Sequence, residues 1–384
     1  MHLHTRNVRT ALKEMVQFFH DGELNRTEKF HRGINPVLTE NSRNGKVLVI
    51  GQPVTVSYSN PTERVLWNQS RDANPFFHLY EALWMLAGRN DVAPLVYYNS
   101  RMADFSDNGT TLNGAYGYRW RRHINRITSL PAKLDQLELL ANHLEDQPAS
   151  RRAVLTMWNV EDDLLKVDSP ECGGSKDVCC NLNVLFKLRH GPAVEDEEKY
   201  HPHTGTFYKR DKFLDMTVTN RSNDLLWGML GANYVHFSIL QEYMAARLGA
   251  GVGTYHHFSN NLHVYKERKD WDPGNLLAWE RANPDQEEDD IKVPLVQDHT
   301  VFDTELRNFV DHHRQNQTVR LALNEPFLQD VAQPLAMAYH RWKLGEFVQA
   351  IDEAAECRDG AWRRAALEWF RRRWQRRLET GGWG

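Results

Sequence analysis

The sequence predicts an α+β protein built in two layers, with an all-helical region at its C-terminal end. Three observations lead there. Up to about residue 293, segments with apolar residues at every second position are interspersed with segments of helical period. From Pro294 onward the period is helical almost throughout. The composition shifts in the same region, and the last helical segment carries the basic run Arg371-Arg372-Arg373-Trp374-Gln375-Arg376-Arg377. Residues 1–293 are therefore expected to form the main domain and 294–384 a helical extension. A chain of 384 residues, 41% of them hydrophobic, can bury a core of that size.

Val47 to Tyr58 alternates around Val47, Val49, Val54 and Val56, which predicts one strand; Asn60-Pro61 turns the chain out of it, and a binding loop, Asn41 to Gly45, precedes it. Pro75 to Gly88 carries Phe76, Phe77, Leu79, Tyr80, Leu83, Trp84 and Leu86 at helical spacing, with Pro75 suited to the first turn and Gly88 to the stop. Leu134 to Leu144 predicts an amphipathic helix and Arg152 to Trp158 a buried strand. Strands follow at Leu182 to Leu188 and Phe213 to Thr219, separated by the polar segment His190 to Lys212, which predicts an exposed excursion. Tyr234 to Leu248 is the most apolar long helix and is expected at the centre. Beyond it lie helical segments at Phe302 to Gln315, Glu325 to Leu344, Phe347 to Glu356 and Ala361 to Leu378. No internal repeat interrupts this order.

The formal net charge of -4 argues against general nucleic-acid binding. No segment approaches the roughly 18 consecutive apolar residues of a membrane span, and Met1 to Arg6 lacks the apolar run of a signal peptide, so a cytoplasmic protein is expected. The four cysteines, Cys172, Cys179, Cys180 and Cys357, show no paired spacing for zinc or a disulfide framework. His256-His257 and His312-His313 are adjacent pairs without the i, i+4 spacing of helical metal ligands, and no metal is expected.

The residues that suggest chemistry lie in Lys176 to Phe186, Arg221 to Asp224 and Gly228 to Asn233. Cys180 opens an apolar strand marked by Leu182, Val184 and Phe186, where its sulfur can face a cavity and act as a nucleophile; an inert core cysteine is the alternative. Cys179, its neighbour, would face the other way. Arg221 and Ser222 end a strand where they can hold an anion, with Arg43, Arg151 and Arg152 as further candidates; each arginine can equally serve a surface ion pair. Asn233, at the head of the apolar helix, is either a buried amide with specific partners or an N-cap. Glu81 lies alone among apolar residues, where burial favours the neutral carboxyl and suits proton transfer. His263 and Tyr265 share a strand face and can line a site or simply pack.

Taken in order, these blocks resemble the thymidylate synthase superfamily, which includes the deoxypyrimidine monophosphate hydroxymethylases. The resemblance runs from about Arg43 to Tyr265. It rests on Glu81-Ala82-Leu83-Trp84, Tyr116-Gly117-Tyr118-Arg119-Trp120-Arg121, Ser150-Arg151-Arg152, Asp177 to Phe186 with Cys180 in the nucleophile position, Arg221-Ser222-Asn223-Asp224 and Leu262-His263-Val264-Tyr265. It implies a homodimer on a large mixed sheet with flanking helices, using 5,10-methylenetetrahydrofolate as co-substrate. Cys180 would add to C6 of a deoxypyrimidine monophosphate and make C5 nucleophilic. Arg43, Arg221 and Ser222 would hold the phosphate, with Arg151 and Arg152 supplied by the other subunit. Glu81, with Tyr116 and water, would manage the proton steps and also face the folate. Asp224 and Gly228 would contact the folate, and His263 and Tyr265 the sugar hydroxyl.

Asn233 would read the base. An asparagine can donate to O4 and accept from N3-H of uracil, whereas an aspartate suits cytosine, so dUMP is expected over dCMP or CMP. Within the resemblance, Val96-Tyr97-Tyr98-Asn99-Ser100-Arg101 lacks the tryptophan usual in synthases, Asn181 replaces a histidine, Leu185 replaces a glutamine, and the chain ends in extra helices. These departures favour 5-hydroxymethyl-dUMP as product, with dTMP the close alternative. A different class of reading is an inactive scaffold whose basic C-terminal helices engage nucleic acid or a partner enzyme; the same Trp-Arg pattern suits a helix packed on its own domain.

Overall fold

The computed structural model describes residues 1–24, 37–42, 45–124, 133–165, 175–191, 199–200, 207–208, 211–283, 291–315 and 317–380. Its strands are β1 His2–Thr5, β2 Val37–Ser42, β3 Gly45–Ile50, β4 Val54–Tyr58, β5 His123–Ile124, β6 Lys133–Leu134, β7 Val154–Thr156, β8 Asn181–His190, β9 Lys199–Tyr200, β10 Phe207–Tyr208, β11 Lys212–Asn220, β12 Asn223–Asp224, β13 Gly251–Ser259 and β14 Leu262–Tyr265. The helices are α1 Val8–Leu24, α2 Pro75–Leu86, α3 Ala93–Tyr98, α4 Tyr116–Arg121, α5 Gln136–Asp146, α6 Ala232–Arg247, α7 Pro273–Ala282, α8 His299–His312, α9 Gln333–Lys343, α10 Phe347–Ala355 and α11 Gly360–Thr380.

Six strands form a mixed sheet in the order β1-β4-β13-β11-β8-β7. β1 pairs parallel with β4 and β11 parallel with β13, while the remaining pairs are antiparallel. Four strands form a second sheet, β12-β14-β3-β2. The one strand expected over Val47 to Tyr58 is thus two strands in two sheets. The chain bends at Gly51-Gln52, and Pro53, which has no N–H for a ladder, accepts from the N-terminal amine at 2.9 Å through its carbonyl. That break lets one short segment serve both sheets. Among the described residues no helix is long and apolar enough to cross a membrane.

Helix α2 is buried along its whole length, with Asn74 Oδ1 capping it through Phe77 N at 3.1 Å. A helix apolar all round needs cover on every side. α6 packs against one side of α2, and the C-terminal helices supply cover on the other. Phe76 meets the rings of Tyr339, Trp369 and Phe370 at 5.4, 5.3 and 5.0 Å, and Tyr80 donates its hydroxyl hydrogen to Val310 O at 2.8 Å. One hydrophobic core therefore runs without interruption from α1 to α11. The basic run of α11 turns inward as well. Arg372, Arg373 and Arg376 gather on Asp72 at 3.1, 2.5 and 3.0 Å, Arg373 lies over Trp369 at 4.0 Å, and Arg377 over Phe347 at 4.3 Å. These four guanidinium groups are engaged within the chain, as in the packed-helix reading.

Candidate active site

The antiparallel pairing of β8 with β11 sets the start of one strand beside the end of the other. Its register shifts between Thr219 and Asn220, and Arg221 N donates to Cys180 O at 2.9 Å just beyond. Cys180 and Arg221 thus leave the sheet side by side, with Nη2 of the arginine 3.7 Å from Sγ. The guanidinium is locked by the carbonyls of Cys179, 2.9 Å from Nε, and Val178, 3.2 Å from Nη2, and lies 5.6 Å from the Trp158 ring. A fixed positive charge at that distance favours the thiolate form through which cysteine attacks. Cys179 points the other way: it is 1% exposed, its sulfur donates to Asn181 O at 3.0 Å, and burial pushes its thiol far above the usual range.

Cys180 opens into a cleft of about 950 Å³ between the two sheets and α2. Glu81, Tyr116, Cys180, Arg221, Ser222, Asp224, Gly228, Asn233, His263 and Tyr265 all line it. Arg151 and Arg152 do not: both are exposed, and Arg152 Nη2 donates to Gln147 Oε1 at 3.2 Å. Arg43 lies outside the described residues. The anion cluster expected from four arginines is therefore represented within this chain's described cleft by Arg221 with Ser222.

Each lining group has a distinct environment. Tyr116 stacks on Phe237 at 5.8 Å, and burial, reinforced by negative charge at Cys180, raises its hydroxyl well above the usual range, so it remains a donor. Burial pushes the Asp177 carboxyl up to about 6, although Gly114 N donates to it at 2.7 Å. Asp224 is also pushed up to about 6 by burial; its Oδ1 accepts from Trp227 N at 2.5 Å and starts the turn Leu225–Met229. Trp227 is held in turn by Arg71 and Arg268, at 5.0 and 4.5 Å from its ring, and donates from Nε1 to Asp270 Oδ2 at 2.5 Å. His263 and Tyr265 face the cleft edge to face, 5.3 Å apart, and burial lowers the pKa of His263.

Asn233 is the second residue of α6, not its N-cap, which is Gly231. Its Nδ2 donates to Asn223 Oδ1 at 3.4 Å. Nδ2 of Asn223 lies 2.7 Å from Nε2 of His257, whose Nδ1 is 2.8 Å from the Tyr255 hydroxyl. Burial lowers His257 to about 3, so this imidazole is neutral and can accept at one nitrogen while donating at the other. Gly228 makes the arrangement possible, since a Cβ there would lie 1.9 Å from Asn223 Oδ1.

The comparison with known proteins agrees with this arrangement. The family model described as thymidylate synthase matches residues 62–321. The chain belongs to the thymidylate synthase family. A deoxyuridylate hydroxymethyltransferase of Pseudomonas phage M6 is 35% identical over 385 residues, covering 96% of this chain and 93% of that protein. A protein of the same description from Bacillus phage SP01 is 38% identical over 225 residues, 58% of this chain and 51% of the relative. A thymidylate synthase from Symbiobacterium thermophilum is 30% identical over 199 residues, 50% of this chain and 59% of that protein.

Several cleft residues of this thymidylate synthase family member escaped the sequence reading. Asp163, with a wholly buried side chain, pairs with Arg119 and accepts from Cys179 N at 3.1 Å, so it anchors the loop that presents Cys180. Its acidic neighbours in Glu161-Asp162-Asp163 gave it no distinguishing mark. His236 did carry a signal, because it follows Asn233 by three residues in a helix and so shares its face. Among the described residues no group of three or more His, Cys, Asp or Glu gathers as metal ligands would.

Proposed function

We propose that this protein transfers a one-carbon unit from 5,10-methylenetetrahydrofolate to C5 of dUMP and releases 5-hydroxymethyl-dUMP. The observation that carries the reading is the placement of Cys180 Sγ 3.7 Å from Arg221 in a cleft that also holds Glu81, Asp224 and Asn233. The extent of identity to the Pseudomonas phage M6 protein favours the hydroxymethyl product over dTMP.

Cys180 adds to C6 of the ring, and the electron pair moves toward O4, which makes C5 a nucleophile. Asn233 presents Nδ2 to O4 and Oδ1 to N3-H, an orientation consistent with its bond to Asn223. Arg221 and Ser222 bind the phosphate, joined by Arg43; Arg151 and Arg152, exposed on their own chain, reach the site of the partner in a homodimer. His263 and Tyr265 contact the sugar. The folate supplies carbon at the oxidation level of formaldehyde. A cleft of about 950 Å³ has room for a second planar ring system beside the nucleotide, and Trp84, Met85 and Trp227 give it apolar faces. Asp224 and Gly228 lie on that wall. Glu81 and Tyr116 handle protons at C5 and O4. We assign residues 1–293 to the catalytic domain and 294–384 to a helical extension that covers α2. We assign the proposed reaction to the cytoplasm; among the described residues no helix is able to cross a membrane.

Incubation with methylenetetrahydrofolate and dUMP, dCMP or CMP separately, followed by mass spectrometry, tests the reading. The expected result is 5-hydroxymethyl-dUMP with stoichiometric tetrahydrofolate. dTMP with dihydrofolate would replace it with a synthase, and turnover of dCMP in preference to dUMP would overturn the base assignment.

A further inference from the structure

The cleft contains a buried titratable group to which nothing above gives a role. His236 is 2% exposed, lines the cleft with Cys180 and Asn233, and stands one helical turn beyond Asn233 on α6. Among the described residues neither ring nitrogen of His236 makes a hydrogen bond, and neither does Glu81 Oε2. Nε2 and Oε2 approach to 3.0 Å, within ion-pair range, yet the approach lacks hydrogen-bond geometry. Three buried polar atoms on two facing helices are thus left without a hydrogen bond on one wall of the cleft.

Leaving such groups unsatisfied is costly, and buried polar atoms without a hydrogen bond in the protein are normally satisfied by water or ligand. A buried water needs two to four polar partners, and this set can supply them. In a synthase, water must be kept from the exocyclic methylene carbon until hydride arrives. Here the wall carries, beside the Glu81 carboxyl of the shared Glu81-Ala82-Leu83-Trp84 block, the imidazole of His236.

We propose that Glu81 Oε2 and His236 together hold the water molecule that adds to the exocyclic methylene carbon, with His236 as the catalytic residue that directs it. This inference rests on the hydroxymethyl reading above. The water oxygen bonds to the methylene carbon, and the π electrons move through C5 and C4 onto O4. The water's proton passes to the Glu81–His236 pair. The resulting enolate re-forms the C5–C6 double bond as the Cys180 sulfur leaves C6. No oxidant or reductant is needed, so tetrahydrofolate leaves unoxidised.

The test uses dUMP tritiated at C5, methylenetetrahydrofolate and a small thiol that competes with water for the methylene carbon. Tritium release reports every step through loss of the C5 hydrogen, and mass spectrometry reports how the carbon is then captured. His236→Ala is expected to retain most of the tritium release while the ratio of hydroxymethyl to thioether product falls about a hundredfold, the low end of a general acid–base contribution. His236→Gln, which refills the space and restores a hydrogen-bonding group, is expected to fold like the parent and recover part of the ratio. An unchanged ratio in both variants, or a parallel fall of tritium release and both products, would overturn the role. If the parent itself makes dTMP and dihydrofolate, the hydroxymethyl reading fails and this inference with it. If the parent makes 5-hydroxymethyl-dUMP while the variants keep its ratio, only the inference fails.

Discussion

Replacing Gly228 by alanine probes the base reader chiefly through the amide that orients it. The new Cβ would lie 1.9 Å from Asn223 Oδ1, 3.0 Å from its Cγ and 3.2 Å from Asn233 Nδ2. A close carbon–oxygen contact is about 3.3 Å, so the Asn223 amide must move by more than about 1 Å. It has little room, being 3% exposed and held 2.7 Å from His257 Nε2. Either Asn223 gives up His257 or the turn Leu225–Met229 shifts, and in both cases Asn233 loses the 3.4 Å bond that orients it. Misplacing a positioning group by about 1 Å costs on the order of a hundredfold, or about 2.7 kcal/mol in the barrier. We therefore expect kcat/KM for dUMP to fall about a hundredfold. The fall for dCMP should be smaller, since that base does not depend on the same polarity, so the preference narrows. Steady-state assays of both nucleotides with mass-spectrometric readout measure this, beside circular dichroism to verify the fold. A folded variant with kcat/KM for dUMP within about threefold of the parent would refute the reasoning, because the reader would then not depend on this amide.

The two adjacent cysteines should separate cleanly. Cys180→Ala is expected to abolish product and any covalent adduct with dUMP seen by intact-mass analysis, whereas Cys179→Ala should keep turnover and lose about 1 kcal/mol of stability with the bond to Asn181 O. Asp224→Asn tests a pH effect of known sign. The native carboxyl keeps its proton to about 6 against an ordinary value of 3.8, so the native state binds more protons in that window and stability falls as pH rises through it, by up to about 3 kcal/mol. Thermal melts of the variant should therefore be flatter between those two pH values than the parent's. Asp72→Ala should destabilise the protein by about 2 kcal/mol, since it leaves the buried Arg372 with Glu368, 3.6 Å away, as its remaining carboxylate while Arg373 and Arg376 keep more solvent. Asp72 also has φ of 50°, a conformation asparagine tolerates, so Asp72→Asn should lose less; denaturant titration and proteolysis of α11 distinguish the two.

Local pattern made most elements readable. The helical period of Phe76 to Leu86, the alternation around Val184 and Phe186 and the apolar run from Tyr234 appear as α2, β8 and α6, because the direction of each side chain follows from backbone geometry alone. The same rule separated Cys179 from Cys180. It failed over Val47 to Tyr58, where alternation on both sides of Pro53 looks continuous while the two halves pair with different sheets. It also left α11 open, because a Trp-Arg helix reads alike whether its arginines face solvent or, as here, a neighbouring loop.

The candidate site divides along the same line. By itself the chain determined which residue types stand at the ends of which strands: a thiol before β8, an arginine after β11, an amide at the head of α6. Only the tertiary structure decided that β8 and β11 run antiparallel with a register shift, which sets Cys180 beside Arg221, and that α2 and α6 cross so that His236 faces Glu81 across 155 positions of sequence. Periodicity encodes a direction relative to the local backbone. Distance between elements comes from burying α2 on all sides at once, a condition satisfied by the whole chain and by no segment of it.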